Sequence, residues 1–553
     1  VKRRQRPIYP STLKAVLGGI FLIAFGTRLF LVMVSDRTVW GDEPSYLWLA
    51  DNFLSGKGFT HYQGIPDIMF PPGYPLLVGL ARQWTGSLVL ASDFWFIAAG
   101  TFALIPLLLL GEAIFGWRIA LLAGLLYSLS PAMLAGTLFA GTLTEPPYLF
   151  FLFSGLYFGY QTLGRDRFLD YFMTGLCFAA AYLIRPEGYL YFLLFFAYRV
   201  FRFLYRAEAG GRALGRLALL AVGFLLLALP YVLYLHSVLG SWTLSGKSTQ
   251  AYVTAKALVQ EDYVKFDLES WGLDWRKKEV RYYSSEVVEI PLLTLFFENP
   301  VGFFRDIAIN ARQSLQHLMA THFFGPYLVL LATLGLFAAP WDRRRAKGEF
   351  YLILALLPLA GFWMFHVIER YLYPAVPILL LWASAGMSHL SWWVDRTVGG
   401  LWRMRMNRNL EAGIKGLALF ALVIFFVGVN YRIWLNPYAP HIYELKSVAR
   451  WIHENTIASS VIMCRQPEIA YHADRDWVVF PHAPYPECVT YARNHDVDYW
   501  IFEGDVIRSR RAHLLPVIEG RWEVPELKEV YRMELPPDKV YVIYRMKEAS
   551  AES

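Results

Sequence analysis

The sequence predicts an α-helical membrane bundle of about eleven (11–13) transmembrane helices, followed by a C-terminal soluble α/β domain. Three observations carry this. Of 553 residues, 56% are hydrophobic and only 18% charged, whereas soluble domains hold about 25% charged residues. The apolar residues come in long blocks and not at amphipathic spacing. Arginines and lysines gather in alternate connections between those blocks, which is the bias that orients membrane proteins.

The chain starts Lys2-Arg3-Arg4-Gln5-Arg6 and then turns apolar. That run is too long for a signal-peptide core and no small-residue cleavage site follows, so it reads as a retained signal anchor. Judged against the ~20 residues a crossing needs, spans fall at 13–34, 94–114, 118–138, 146–163, 168–184, 188–206, 216–236, 322–339, 349–367, 372–392 and 413–430. With a cytoplasmic N-terminus, the inner loops hold Arg165 and Arg167, then Arg199, Arg202, Arg206, Arg212 and Arg216. Further on they hold Arg343, Arg344, Arg345 and Lys347, then Arg396, Arg403, Arg405, Arg408 and Lys415. Outer connections are poor in cations. Residues 1–430 therefore read as the membrane domain, with outer loops at 35–93 and 237–321. The second loop ends in an amphipathic stretch, from Pro291-Leu292-Leu293 to Ala311-Arg312-Gln313, suited to the interface. Residues 431–553 read as an extracytoplasmic domain. A multi-pass protein of the cell inner (plasma) membrane is expected.

The tail alternates strands and helices. Tyr443 to Asn455 and Cys488 to His495 have helical spacing. Val461-Ile462-Met463-Cys464, Trp477-Val478-Val479-Phe480 and Tyr499-Trp500-Ile501-Phe502 read as buried strands, and two more flank Pro536-Pro537-Asp538. A partly parallel layered sheet follows. Of three cysteines, Cys177 sits in an apolar run, while Cys464 and Cys488 allow either one disulfide or two free thiols. Their spacing offers no metal framework. The net charge of +7 is a topology signal and not a nucleic-acid one.

Five constellations could carry chemistry. Asp42 and Glu43, ahead of Tyr46, Asp51 and Gly56-Lys57-Gly58-Phe59, place two carboxylates beside the first span. Such groups are costly to desolvate and usually functional; the plainer reading is a cap on a helix starting at Pro44. Phe70-Pro71-Pro72-Gly73-Tyr74-Pro75 enforces a rigid path back to the membrane, foremost a structural turn. Thr144-Glu145-Pro146-Pro147 offers either a site acid or a helix-dipole partner. In Arg185-Pro186-Glu187-Gly188 the arginine either pairs with Glu187 or grips a phosphate. His366, Glu369, Arg370 and Tyr371 crowd one span end, where snorkelling also accounts for an arginine. All five are expected at the outer face, and that convergence is the functional signal.

The order of these motifs resembles the family-39-type membrane glycosyltransferases, which include the protein O-mannosyltransferases and the lipid A aminoarabinose transferases and share the C-type (GT-C) fold. Besides the acid pair with its Tyr and Gly-Lys-Gly-Phe, the likeness rests on the Pro-Pro turn, Thr144-Glu145-Pro146, Arg185-Pro186-Glu187-Gly188 and Arg370-Tyr371-x-x-Pro374-x-x-Pro377. It covers most of residues 10–390. The resemblance implies inverting transfer from a polyprenyl-phosphate sugar to an acceptor it leaves unnamed, in contact with membrane lipids. It implies no nucleotide donor and, as is usual in the family, no catalytic metal or cofactor; the charge pattern already argued against a nucleic-acid partner. Asp42 matches the catalytic carboxylate, with Glu43 and Glu145 beside it. Lys57, Arg82, Arg185, Arg370, Tyr46, Tyr371 and His366 become candidates for the donor and its phosphate. One departure stands out: many aminoarabinose-transferase-like members have Lys before Pro-Pro, where this chain has Phe70. Its phosphate contact then falls to Lys57, Arg82 or Arg185. Trp392-Trp393-Val394-Asp395 lacks the Trp-Trp-Asp-Tyr-Gly pattern of oligosaccharyltransferases and falls in an expected inner loop.

A lipid-precursor flippase or transporter is the competing reading. Transporters place polar groups at the midplane, often in repeats; here they sit at span ends and no repeat is visible. A receptor-like scaffold leaves the carboxylates unexplained.

Overall fold

The computed structural model describes residues 10–547 except 36, 62–63, 142, 166, 206–210, 248–253, 256, 275–278, 283–296, 298, 339–340, 402–407, 436–442 and 536–538. The basic N-terminal tract, Arg206, Pro291-Leu292-Leu293, Arg403, Arg405 and Pro536-Pro537-Asp538 lie outside the described residues. The chain divides into two compact units. One comprises residues 1–37, 84–231 and 307–438; the other comprises 38–83, 232–306 and 439–553.

In chain order, α1 (Pro10–Val34) belongs to the first unit, and α2 (Glu43–Leu54) and α3 (Gly73–Thr85) to the second. The first unit resumes with α4 (Leu88–Phe102), α5 (Leu104–Phe115), α6 (Trp117–Leu129), α7 (Glu145–Gln161), α8 (Phe168–Ile184) and α9 (Gly188–Tyr205). The chain passes to the second unit within α10 (Gly211–Leu239), which leads to α11 (Tyr263–Trp271) and the short β1–β2 pair (Leu273–Asp274, Glu279–Val280). It returns within α12 (Pro300–Met319) to α13 (Pro326–Phe337), α14 (Arg343–Ala360), α15 (Ala375–Leu401) and α16 (Arg408–Leu435).

Each apolar stretch singled out from the sequence contains helix, though 118–138, 322–339 and 349–367 are helical only in part. Among the described residues, four helical stretches are long and apolar enough to cross a membrane: Ser11–Val34, Leu88–Phe115, Gly211–Leu239 and Arg343–Met364. Others are cut short by recognisable breakers. α6 stops before Pro131 and gives way to a single π turn over Ala132–Gly136. α13 starts only at Pro326, after Gly325 at φ 89°, a conformation that favours glycine. α13 and α15 pack so closely that a Cβ at Gly335 would strike the Trp382 carbonyl, and one at Gly386 the Leu331 carbonyl. Small residues at such contacts let membrane helices approach without a hydrophobic driving force.

The basic residues expected at the inner face also finish helix ends. Arg344 Nη2 donates to Ala113 O at 2.8 Å, Lys347 Nζ to Leu163 O at 2.5 Å and Arg345 Nη2 to Gly335 O at 2.6 Å. Those carbonyls belong to the last turns of α5 and α13 and the turn after α7, where cations are favoured by the helix dipole. The fully buried Glu349 is held by Arg345 at 3.2 Å and by Trp382 Nε1 at 2.5 Å.

The second unit is built on a five-stranded sheet of order β4-β3-β5-β7-β6. Its strands are β3 (Val461–Cys464), β4 (Asp476–Val479), β5 (Tyr499–Glu503), β6 (Leu527–Leu535) and β7 (Lys539–Met546). β3 pairs in parallel with β4 and β5, whereas β7 is antiparallel to β5 and β6. The parallel strands are nearly continuous apolar runs, as expected where both faces are covered. Their connections are α17 (Tyr443–Asn455) before β3, α18 (Pro467–Ala473) between β3 and β4, and α19 (Tyr485–Asn494) before β5. Cys464 and Cys488 are free, buried thiols, and burial pushes Cys488 up to about 12. The disulfide alternative is thereby closed.

Two earlier stretches join this sheet. Trp48 of α2 stacks on Trp477 at 5.7 Å, and His472 Nε2 lies 2.9 Å from Val39 O. Asp267 of α11 is fully buried and meets Arg511 at 2.6 Å, Arg465 at 3.0 Å and His482 at 3.1 Å. Burial would raise Asp267, but these three partners together hold it well below the usual carboxylate range.

Candidate functional site

Asp42 stands immediately before α2 with φ −80° and ψ −11°, and its side chain makes no capping hydrogen bond. Pro44 suffices to start the helix, since it lacks the N–H a cap would satisfy. Asp42 thus holds the N-cap position of α2 without a side-chain capping hydrogen bond. Glu43 is 1% exposed. Asp42 is half-buried on the wall of a cavity of about 590 Å³, together with Trp40, Ser45, Phe70, Trp271, Arg465, Glu468 and Glu503. That volume lies within the range of about 300–1,000 Å³ typical of small-molecule sites.

The sheet explains where the cavity lies. β3 is followed by β4 on one side and β5 on the other, so the connections part between β3 and β5. Crevices at the carboxyl ends of strands flanking such a switch point are the usual ligand sites of open α/β sheets. Arg465, Gln466 and Glu468 follow the end of β3, and Glu503, Gly504 and Asp505 follow from the end of β5; all line the cavity. Glu503 Oε1 bridges the two ends, accepting from Arg465 N at 3.2 Å and Gln466 N at 3.0 Å. Burial pushes Glu503 up to about 7, against the pull of Arg465. Glu468 Oε1 accepts from Gly41 N at 2.7 Å, and burial raises it too, with the Asp42 charge adding to the shift.

The first unit holds a second cluster. Arg185 caps the end of α8; its Nη1 meets Glu145 Oε1 at 2.6 Å and its Nε meets Glu187 Oε1 at 2.5 Å. Thr144 Oγ1 lies 3.4 Å from Nη1, and the guanidinium sits 5.7 Å from the Tyr148 ring centre. Burial opposes the Arg185 charge; Glu187 and Glu145 more than offset it, and Arg370 is near enough to act on it in the opposite sense. Of the two sequence readings of Arg185, the pairing with Glu187 is present, and Glu145 is a second partner. Arg370 and Tyr371 occupy a 3₁₀ turn over Glu369–Leu372. Tyr371 stacks on Phe362 at 4.4 Å and meets His366 edge-on at 5.6 Å. Glu369 Oε1 contacts His322 at 2.6 Å and His317 at 3.5 Å.

The remaining candidates are scattered. Tyr46 is 6% exposed and packs edge-on against Phe70 at 4.7 Å and Tyr74 at 5.3 Å. Lys57 is exposed in the turn after α2, and Arg82 pairs with Asp51 on an exposed face. Neither lines the cavity. The Pro-Pro turn has the expected structural role: Asp67 Oδ1 accepts from Met69 N at 2.9 Å and Phe70 N at 2.8 Å, fixing the approach to Pro71-Pro72 and α3. Lys247 Nζ stands 4.8 Å from the Phe70 ring centre, so a cation from another segment accompanies Phe70. Sequence reasoning missed Lys247, Arg465, Glu468 and Glu503. Glu503 left a signal, as a carboxylate closing the apolar strand Tyr499-Trp500-Ile501-Phe502.

No protein-family model matches the sequence, and no curated protein matches it. Solved structures do. The apo oligosaccharyltransferase of Archaeoglobus fulgidus aligns with a TM-score of 0.60 at 14% identity, over 96% of this chain and 74% of that one. The same organism's AglB, in complex with an inhibitory peptide and a dolichol-phosphate, gives 0.57 at 14% identity over the same shares. ArnT from Cupriavidus metallidurans, bound to undecaprenyl phosphate, gives 0.52 at 12% identity over 97% of each chain. At such identity the likeness establishes the fold. This chain has the fold of the GT-C glycosyltransferases, as the motif order implied.

Proposed function

We propose that the chain is an inverting glycosyltransferase that moves a sugar from a polyprenyl phosphate to an acceptor on the outer face of a cell membrane. The observation that carries this is Asp42, a half-buried carboxylate on the wall of a small-molecule-sized cavity. In the reaction the acceptor O–H gives its proton to Asp42 while its oxygen attacks the anomeric carbon. The bond from that carbon to the phosphate oxygen breaks, and the lipid phosphate departs with the electron pair. One displacement inverts the configuration and forms no covalent enzyme intermediate.

Arg185 and Arg370 are assigned to the charge that grows on the leaving phosphate. Preorganised donors of this kind act most strongly where charge develops. Glu145 becomes a positioning residue, holding the Arg185 fork together with Glu187. Lys247 is assigned the phosphate contact that related enzymes take from a lysine at the Phe70 position. Polyprenyl phosphates in the ArnT and AglB structures support the choice of donor. About eleven spans, a cytoplasmic N-terminus and an extracytoplasmic domain from residue 431 complete the reading. No resident metal or cofactor takes part in the step as written.

The test is purification in mild detergent followed by mass spectrometry of bound lipid and a transfer assay. Polyprenyl phosphate, with or without a sugar, is the expected passenger. Turnover of a nucleotide sugar with no polyprenyl phosphate recovered would overturn the assignment.

A further inference from the structure

The cavity at the carboxyl ends of β3 and β5 carries more information than its place beside Asp42. Five carboxylates line it, Asp42 and Glu503 among them, against two cations, Arg465 and Lys539. Both cations are already ion-paired, Arg465 with Asp267 at 3.0 Å and Lys539 with Glu444 at 2.8 Å. An acidic wall with its cations engaged repels phosphate, since like charges in a confined site are costly. The donor headgroup is therefore a poor occupant.

The wall is also aromatic. Trp271 stacks on Tyr282 at 4.9 Å and takes the Arg465 guanidinium over its ring at 4.6 Å. Trp40 is only half-buried, and its ring belongs to the same wall. Among the described residues, buried atoms of four lining residues have no protein hydrogen-bond partner: Trp40 Nε1, Gln466 Oε1, Glu468 Oε2 and Glu503 Oε2. Buried polar atoms are almost always satisfied, so four around one cavity call for a ligand rich in hydroxyl groups. Burial brings Glu503 to about 7, so near neutral pH this carboxyl can donate as well as accept; burial raises Glu468 too.

We infer that this cavity is the acceptor site and that it takes an uncharged or amine-bearing sugar ring of a glycan. The polarised C–H face of such a ring suits the negative face of an indole, its hydroxyls suit carboxyls and the indole N–H, and an amine suits the acidic excess. This rests on the transferase reading and adds the acceptor's chemical class to it.

The test uses the full chain in detergent on an array of neutral, amine-bearing and sulfated oligosaccharides and peptides, with capture of polyprenyl phosphate measured in parallel. Neutral or amine-bearing glycans should be retained and sulfated ones rejected. Trp40→Ala and Glu503→Gln should each weaken glycan retention about tenfold, with polyprenyl-phosphate capture unchanged as the measure of folding. The exposed Lys528→Ala serves as the control. Retention of peptides in place of glycans overturns the inference, as does glycan retention untouched in both variants. Capture of polyprenyl phosphate without any glycan overturns it and leaves the transferase reading standing. Failure to capture either one counts against both.

Discussion

Arg185 Nη1 lies 2.6 Å from Glu145 Oε1, with the two side chains 9% and 1% exposed. One closes α8 and the other opens α7, so two helix ends are joined by a buried ion pair. Removing one member of such a pair strands the other, at a cost of about 3–5 kcal/mol.

Arg185→Gln should therefore lose both transfer and stability, the latter through the stranded Glu145. Glu145→Gln should lose less activity, because Glu187 still holds the guanidinium. The double variant Arg185→Gln/Glu145→Gln should recover much of the melting temperature and none of the turnover. If the double variant regains turnover along with stability, Arg185 is structural only. Arg185→Lys should rescue in part, since a lysine lacks the fork.

Asp42→Asn keeps the size of the side chain and removes its basicity. Turnover should fall by about a hundred- to ten-thousand-fold, with lipid capture and melting temperature near those of the parent. No cap is lost on substitution, because none is made. Near-parental transfer by a folded Asp42→Asn protein would remove the residue from the mechanism.

Lys247→Ala should weaken retention of polyprenyl phosphate, measured by lipid mass spectrometry, with a modest fall in stability of about 0.5–1 kcal/mol from the lost contact with the Phe70 ring. Lys57→Ala, in an exposed turn away from the cavity wall, should leave lipid retention unchanged. The reverse ranking would return the phosphate contact to Lys57.

Glu503 titrates near 7 in the folded chain instead of its ordinary 4.5. Between those values the folded chain holds a proton that the unfolded chain has released. The contribution of this group is full below about pH 4.5 and is lost as pH rises to about 7. Glu503→Gln cannot titrate, so the stability of the parent relative to this variant should fall across that window. Thermal unfolding of both proteins from pH 5 to 8 reads the difference. A gap that widens in the parent's favour with rising pH contradicts the assignment.

Orientation is open to cysteine labelling in intact cells. A cysteine at Arg344 should be protected and one at Lys528, exposed on β6, should react. Gly520 is a poorer outer position, because its φ of 67° disfavours a side chain. The opposite pattern would place the acid pair on the cytoplasmic side.

Two elements of the tail were readable to the residue. Val461–Cys464 and Tyr443–Asn455 have the bounds their patterns predict, because short apolar runs between turn residues leave few alternatives. Block hydropathy located the apolar helices but not their breaks, such as those before Pro131 and Pro326. What sequence patterns could not convey was which side chains meet. Glu145 and Arg185 are 40 residues apart, and nothing in either motif names the other. Glu503 acquires its cavity only from the strand order, in which β3 separates β4 from β5. Lys247 lies beside Phe70 through the tertiary fold, so a motif scan that expected lysine at the Phe70 position registers only a loss.

The chain changes unit after residues 37, 83, 231, 306 and 438, and that interleaving sets a clock on synthesis. Gly41 and the Glu468 carboxylate that receives its N–H are 427 residues apart. At about 5–20 residues per second, Asp42 waits on the order of tens of seconds for the strand ends that complete its cavity. During that interval the first unit acquires its whole sequence while the cavity beside Asp42 does not yet exist. A nascent chain, or a product truncated after residue 438, would hold the helices and lack the crevice. On the transferase reading proposed above, a chain still in synthesis would lack its acceptor cavity until the tail is made.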